Sequence, residues 1–298
     1  MRALAEQIRR FARADSNVLI AGETGTGKNV IARELHLRGK RAKQPFVTID
    51  CPSLSTSLID SELFGHERGA FTDAVTARAG RFELARAGTV YLDAVNELAV
   101  EAQSKLLRIV EEKRVERLGG QMSVAMEARV VASSGADIED AVREGRFRHD
   151  LFHRLRVLPL FVPPLRERKE DVLPLAEYFA TRAAAESDRP APAFSRDAAA
   201  ALRDYAWPGN VRELRHVVEI VCQTDRDTVM LTDLPDEVLA TPAPADKAPD
   251  RQPTLDEMER RYVAATLRAV HGNQTEAAAR LGISRKALWE KRKRYGME

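Results

Sequence analysis

Apolar positions along the chain follow two periods. Leu4, Ile8 and Phe11 recur every three to four residues, so the chain opens with a short amphipathic helix. Residues 17–21 (NVLIA) form a short apolar run ending at a glycine-rich turn, and read as a buried strand. Residues 29–37 then read as a helix. Residues 46–49, 89–92 and 129–133 are further short runs rich in β-branched side chains, with helical patterns between them, such as 101–112. Strands alternating with helices predict a parallel, doubly wound α/β sheet. From Glu170 onward the strand signals fade, and 171–186, 195–205 and 210–224 all read as helices. A small helical subdomain is therefore expected after the sheet.

Residues 241–253 (TPAPADKAPDRQP) hold four of the 14 prolines and almost no large apolar side chain. Such a stretch is an extended linker. The expected organisation is an α/β body at 1–169, a helical lid at 170–240, the linker at 241–253 and a compact basic domain at 254–298. No repeat of solenoid length is present. The 298 residues suit about two domains. Charged residues at 31% and hydrophobic ones at 44% indicate a globular chain. Lys and Arg number 47 and Asp and Glu 45, giving a net charge of +2, far too little for a surface that coats nucleic acid. No apolar run approaches the ~18–20 residues of a membrane span. The first 17 residues carry four arginines and no apolar segment, so they are not a secretory signal. Cys51 and Cys222 cannot build a disulfide framework, which places the chain in a reducing cytoplasm with two small buried thiols.

The glycine-rich turn carries the first chemistry. Gly22-Glu23-Thr24-Gly25-Thr26-Gly27-Lys28 fits G-x-x-x-x-G-K between a predicted strand and a predicted helix, the context that a phosphate-binding loop requires. Glycines let backbone N–H groups approach phosphate oxygens, and Lys28 is placed for the β- and γ-phosphates of ATP or ADP. The hydroxyl that usually follows the lysine and holds Mg²⁺ is replaced by Asn29. The strand at 89–92 ends in Asp93, the position from which an acid helps hold Mg²⁺; a helix N-cap is the blander reading of that residue. Position 94 is alanine, and a methyl group can neither accept a proton nor orient water.

At this point the chain resembles a family. The run ELFGHERGAFTDA at 62–74 is similar to the sigma-54 contact segment of bacterial enhancer-binding proteins, the AAA+ activators of sigma-54 RNA polymerase. GRFELA at 80–85, KLLR at 105–108, FRHDLFHRL at 147–155, PPLRER at 163–168 and WPGNVREL at 207–214 look like further blocks of that family. The C-terminal segment resembles its Fis-type helix-turn-helix. The resemblance implies an AAA+ fold that binds ATP or ADP with Mg²⁺ at Asp93. It also implies a ring, commonly hexameric, with nucleotide between subunits. By position, Arg148 and Arg154 match trans-acting arginine fingers, and Arg212 matches the arginine of the helical lid. Gly69, Ala70, Phe71, Thr72, Asp73 and Ala74 match the loop that contacts the sigma factor.

The chain departs from the pattern at four working positions. The glutamate after the strand acid is Ala94, the sensor asparagine is Gly135, the asparagine that holds the glutamate is Asp50, and the second glycine of the contact loop is Asp73. Losing a positioned base costs roughly 10²–10⁴-fold in rate. Glu97 is a candidate substitute, but it is expected to start the next helix and point elsewhere. A charge and a Cβ at position 73 weaken the sigma contact without excluding it, because Phe71 and Thr72 remain.

Beyond the linker, Leu255, Met258, Tyr262, Ala265 and Ala269 mark one face of a packing and dimerisation helix. Asn273 reads as the N-cap of a helix over 274–281, with Gly282 just past its end. Ser284 then caps a helix over 285–294, ended by Gly296. Two short helices about a glycine turn make a helix-turn-helix that reads double-stranded DNA. Ser284, Arg285 and Lys286 are placed for base edges, and Lys291, Arg292, Lys293 and Arg294 for phosphates.

The expected function is a DNA-binding transcription regulator whose AAA+ body binds nucleotide and hydrolyses it poorly or not at all, acting as an assembly scaffold. It would work with sigma-54 or housekeeping polymerase, or as a repressor. One alternative is an active ATPase that remodels sigma-54 polymerase. Another is a regulator responsive to a cyclic dinucleotide, with Arg33 as the basic contact. The sequence opens almost at the AAA+ body, so control is expected to come from elsewhere or from a longer parent.

Overall fold

The computed structural model describes residues 2–53, 59–71, 74–186, 189–223, 226–239, 263, 266 and 274–294. They fall in two compact units, Met1–Thr241 and Pro242–Glu298. Thr72, Asp73, the linker 241–253, nearly all of the helix expected at 255–269, Asn273 and Gly296 lie outside the described residues, as does the side chain of Arg294.

The first unit is built on a parallel sheet. Strands β1 (Val18–Ala21), β2 (Phe46–Asp50), β3 (Thr89–Asp93), β4 (Arg129–Ser134) and β5 (Leu158–Phe161) stand in the order β2-β3-β4-β1-β5. The alternation of side chains along each strand sorts the apolar residues into two layers. Leu19, Val90, Leu92, Val130 and Ala132 pack in one core, and Val18, Ile20, Tyr91 and Val131 in the other. Helices α1 (Arg2–Ala12) and α2 (Lys28–Leu37) cover the second layer through Leu4, Phe11, Ile31, Ala32 and Leu35. Helices α3 (Ile59–Phe64), α4 (Val100–Glu112), α5 (Ile138–Arg143) and α6 (His149–Leu155) cover the first. Every strand expected from the sequence is present, and β5 is an additional one. Its sequence, Leu-Pro-Leu-Phe, carries a proline, which only an edge strand accommodates, and β5 is an edge.

The lid follows as α7 (Val172–Glu186), α8 (Arg196–Asp204) and α9 (Asn210–Val221). Ala176 and Ala180 of α7 and Leu214, Val217, Val218 and Val221 of α9 share a core with Ala198 and Leu202 of α8. Trp207 is fully buried there and donates its indole N–H to the Leu202 carbonyl at 2.8 Å. Helix α9 ends at Val221, three residues earlier than its pattern suggests. Cys51 is buried, whereas Cys222 is only half-buried, against the expectation of two buried thiols.

In the second unit, α10 (Gln274–Arg280) and α11 (Arg285–Arg294) pack Ala277, Ala278 and Leu288 around Val263. Gly282 sits between them at φ +66°, and Ser284 Oγ accepts the Ala287 N–H at 3.1 Å as the N-cap of α11.

Candidate functional site

A cleft of about 990 Å³ opens at the C-terminal ends of β1, β3 and β4, where a parallel sheet binds ligands. It is lined by Thr24 to Ile31, Asp50, Asp93, Ala94, Glu97, Gly135 and, from the lid, Val211 and Arg212. Six positions singled out in the sequence, Lys28, Asp50, Asp93, Ala94, Gly135 and Arg212, thus meet at one cavity.

The glycine-rich loop is held from both sides. Gly25 has φ +81°, and a Cβ there would lie 2.2 Å from the Gly209 carbonyl oxygen, so glycine is required. That same approach lets the Gly25 carbonyl accept the Val211 N–H at 2.9 Å. Asn210 is fully buried and makes three bonds. Its amide donates to Glu23 Oε2 at 3.1 Å and to the Thr24 carbonyl at 3.0 Å, and its carbonyl accepts the Leu165 N–H at 2.7 Å. Arg166 grips Glu23 with two bonds of 2.8 and 2.5 Å, which hold that carboxyl below its ordinary range. Arg168 donates to the Thr26 carbonyl at 3.0 Å. The Thr26 hydroxyl donates to the Glu23 carbonyl at 2.8 Å. Sequence reading missed Asn210, Arg166 and Arg168 as loop clamps, because contacts across about 140–190 positions leave no periodic signal.

Lys28 turns its ammonium onto the Gly22 and Glu23 carbonyls at 2.7 and 3.0 Å. Burial pushes its pKa below the usual lysine value, and nearby Asp93 opposes that shift. Asp93 is fixed by two hydroxyls on one oxygen. Tyr91 donates to Oδ1 at 2.9 Å and Ser133 at 2.5 Å, while Ser133 Oγ accepts the Ala94 N–H at 3.0 Å. Burial pushes the Tyr91 phenol far up, so it stays a donor. Asp50 stands beside Asp93 in register across β2 and β3. Asp93 thus closes a strand, not a helix N-cap, and the cleft carries two neighbouring carboxylates. Ser134 is fully buried, lines the cleft and has no partner for its hydroxyl among the described residues.

Ala94 has φ +52° and presents only a methyl group at the end of β3. Opposite it, Gly135 offers no side chain, but its N–H donates to Asn96 Oδ1 at 3.1 Å. The Asn96 amide in turn donates to Glu97 Oε1 at 2.8 Å. Glu97 ends a short turn (Val95–Glu97) and lines the cleft. The expectation that it starts a helix and points elsewhere is corrected: α4 begins three residues later, at Val100. Asn96 was invisible to sequence reading because a lone polar residue in a turn carries no pattern.

Other candidate residues lie outside the cleft. Arg148 forms a two-bond pair with Asp150, at 3.1 and 2.7 Å, and Arg154 pairs with Glu111 at 2.8 Å. Fully buried Gln103 positions the first of them, accepting the Arg148 N–H at 2.8 Å. Arg33 is exposed on α2 and is not among the lining residues; the basic side chains that line the cleft are Lys28, Arg168, Arg182, Arg212 and Arg215. Of the proposed contact loop, Gly69, Ala70, Phe71 and Ala74 are described, and Phe71 stacks edge-on against His66 at 5.0 Å. On α11, Arg285, Lys286 and Lys293 are exposed and Lys291 and Arg292 half-buried, with the Lys293 ammonium 5.4 Å from the Trp289 ring centre.

Residues 1–161 match the model of the sigma-54 interaction domain. The chain belongs to that family. Residues 166–251 match the AAA+ ATPase lid domain, and residues 254–295 match the bacterial regulatory protein, Fis family. Relatives of this sigma-54 family chain include the alginate biosynthesis transcriptional regulatory protein AlgB of Pseudomonas syringae pv. tomato. It is 44% identical over 302 residues, covering 100% of this chain and 66% of that protein. The regulatory protein AtoC of Escherichia coli K12 is 40% identical over 306 residues, with the same coverage. The chain therefore spans 66% of the length of these relatives. Solved structures of NtrX from Brucella abortus in complex with ADP and with ATP are similar, each with a TM-score of 0.74 and with 32% and 34% identity. They cover 99% of this chain and 68% and 67% of theirs.

Proposed function

We propose that the chain is a sigma-54-type, DNA-binding transcription regulator whose AAA+ body binds ATP or ADP and hydrolyses it poorly or not at all. The observation that carries the second half is the bare pair Ala94 and Gly135 at the cleft. Neither can polarise or position an attacking water. Binding draws on parts that are intact. The loop N–H groups, Lys28 and Arg212 supply donors for phosphate oxygens, and Ile31, Leu175, Phe179 and Val211 supply an apolar wall for a base. The orphan Ser134 hydroxyl and the lowered pKa of Lys28 suit a site that an anion completes. Mg²⁺ would neutralise phosphate charge there. Asp93 and its neighbour Asp50 are the residues placed to hold it, in the absence of a hydroxyl at Asn29. Similarity to NtrX, solved with ADP and with ATP, supports nucleotide as the ligand.

In this reading Arg148 and Arg154 reach the neighbouring subunit's nucleotide in a ring, after exchanging their exposed carboxylate partners for phosphate. Such surface pairs are weak enough to exchange. Gly69 to Ala74 meet the sigma factor, and α11 reads double-stranded DNA in the major groove. Calorimetry with ATP and ADP, alongside steady-state hydrolysis at high protein concentration, tests the proposal. Stoichiometric binding lost in Lys28→Ala, with little turnover, is expected. Turnover near that of an intact AAA+ ATPase would overturn it.

A second reading, an active ATPase, is favoured by one observation. Asn96 places a carboxamide on Gly135 and holds Glu97 at the cleft, so an amide and a carboxylate stand near the positions that lost theirs. If Glu97 is the base, Glu97→Gln abolishes turnover that Ala94→Glu does not raise.

A further inference from the structure

Helix α6 carries a side-chain pair that neither the cleft nor the DNA-binding unit uses. His149 and His153 stand one turn apart on its exposed face. Their Nε2 atoms are 3.0 Å apart, and their ring centres 4.3 Å. That is hydrogen-bond distance between two ring nitrogens, with the donor set by the tautomer of each ring. Buried Leu151, Phe152 and Leu155 anchor the helix beneath them, and Phe152 meets the His153 ring edge-on at 5.4 Å. The surrounding cations already have partners: Arg148 has Asp150, Arg154 has Glu111 and Arg156 has Glu139.

We propose that His149 and His153 form a two-imidazole chelate for a divalent transition-metal ion. Imidazole nitrogens bind such ions at about 2.0–2.1 Å. Two nitrogens 3.0 Å apart then subtend about 94° at the ion, the angle between adjacent ligands in tetragonal geometry. Cu²⁺ and Ni²⁺ match that spacing once the rings turn to aim both lone pairs at the ion; tetrahedral Zn²⁺ also needs the nitrogens about 0.3 Å further apart. Among the described residues no group of three His, Cys, Asp or Glu converges. The ion's other positions therefore belong to water or to a group from another molecule. Binding uses both Nε2 lone pairs, so the hydrogen on the donating Nε2 moves to Nδ1 of the same ring through solvent, and the ion staples α6 across one turn, between Arg148 and Arg154. An effect on ring assembly would rest on the finger roles proposed above; the chelate itself does not.

The test is calorimetric titration of NiCl₂ into the untagged full chain without nucleotide, alongside His149→Gln, His153→Gln and a control, His216→Gln, at an exposed histidine on α9. One equivalent of Ni²⁺ is expected, with affinity falling at least about tenfold in either α6 variant and unchanged in the control. Thermal denaturation gives a second readout: Ni²⁺ raises Tm in the wild type and the control only. Absence of stoichiometric binding by the wild type, or binding undiminished in His149→Gln or His153→Gln, overturns the proposal. Because both residues are exposed and no nucleotide is present, failure here leaves the nucleotide proposal standing.

Discussion

At position 94 the backbone is already in the left-handed region, at φ +52°. Alanine and glutamate both carry a Cβ, so Ala94→Glu adds no new backbone strain there. The substitution is expected to raise hydrolysis by about 10²–10⁴-fold if the missing base is the main lesion, as read by phosphate release. No gain would place the fault at Gly135 or Asp50. A second residue-scale prediction concerns His36. It is buried, bonded to Thr89 Oγ1 at 2.9 Å, and burial holds its pKa below the ordinary 6.5. The unfolded chain therefore takes up this proton first as pH falls. Stability from this group is full above pH 6.5 and is lost as pH drops through the folded value. Denaturation midpoints between pH 7.5 and 5 should fall in the wild type and fall less in His36→Gln. At this scale the sequence exposed the glycines, Lys28, Asp93 and the gaps at 94 and 135, because each sits in a motif. It hid Asn96 and Asn210, whose roles exist only once distant segments meet.

At the scale of elements, periodicity was sufficient wherever a segment buries one clear face. Strands β1 to β4 and helices α4, α7 and α8 fall where the pattern puts them. β5 was illegible because Pro159 disguises a strand that only an edge can hold. The paired strands Arg114–Glu116 and Ser123–Ala125 were illegible for another reason: both are mostly polar or exposed, so no alternation marks them. The connection between lid and loop also belongs to this scale, and it runs through Asn210. Asn210→Ala removes three bonds, one buried and two partly buried, and leaves the Leu165 N–H and the Thr24 carbonyl short of a partner. A destabilisation of about 2–4 kcal/mol is expected in urea denaturation. Weaker nucleotide binding should accompany it, because the loop loses its clamp.

For the whole molecule, the near-neutral charge of +2 conceals a division. Residues 254–298 carry ten basic and six acidic residues, so residues 1–253 together carry −2. Six of those ten bases lie within Arg285–Arg294. DNA affinity should therefore be local to α11 and sensitive to salt. Arg285→Ala is expected to cost about 1–3 kcal/mol on a specific site and to relax discrimination there. Lys291→Ala should weaken all sequences alike and reduce the salt slope by about one; fluorescence anisotropy across a salt series reads both. On the function proposed above, the AAA+ body keeps its nucleotide but hydrolyses it poorly or not at all. The most direct test is ATP turnover per bound nucleotide, measured on one full-length sample in parallel with Ala94→Glu. One nucleotide bound per chain is expected in both, with wild-type turnover about 10²-fold or more below that of an intact AAA+ ATPase. Wild-type turnover near that of an intact AAA+ ATPase would contradict it.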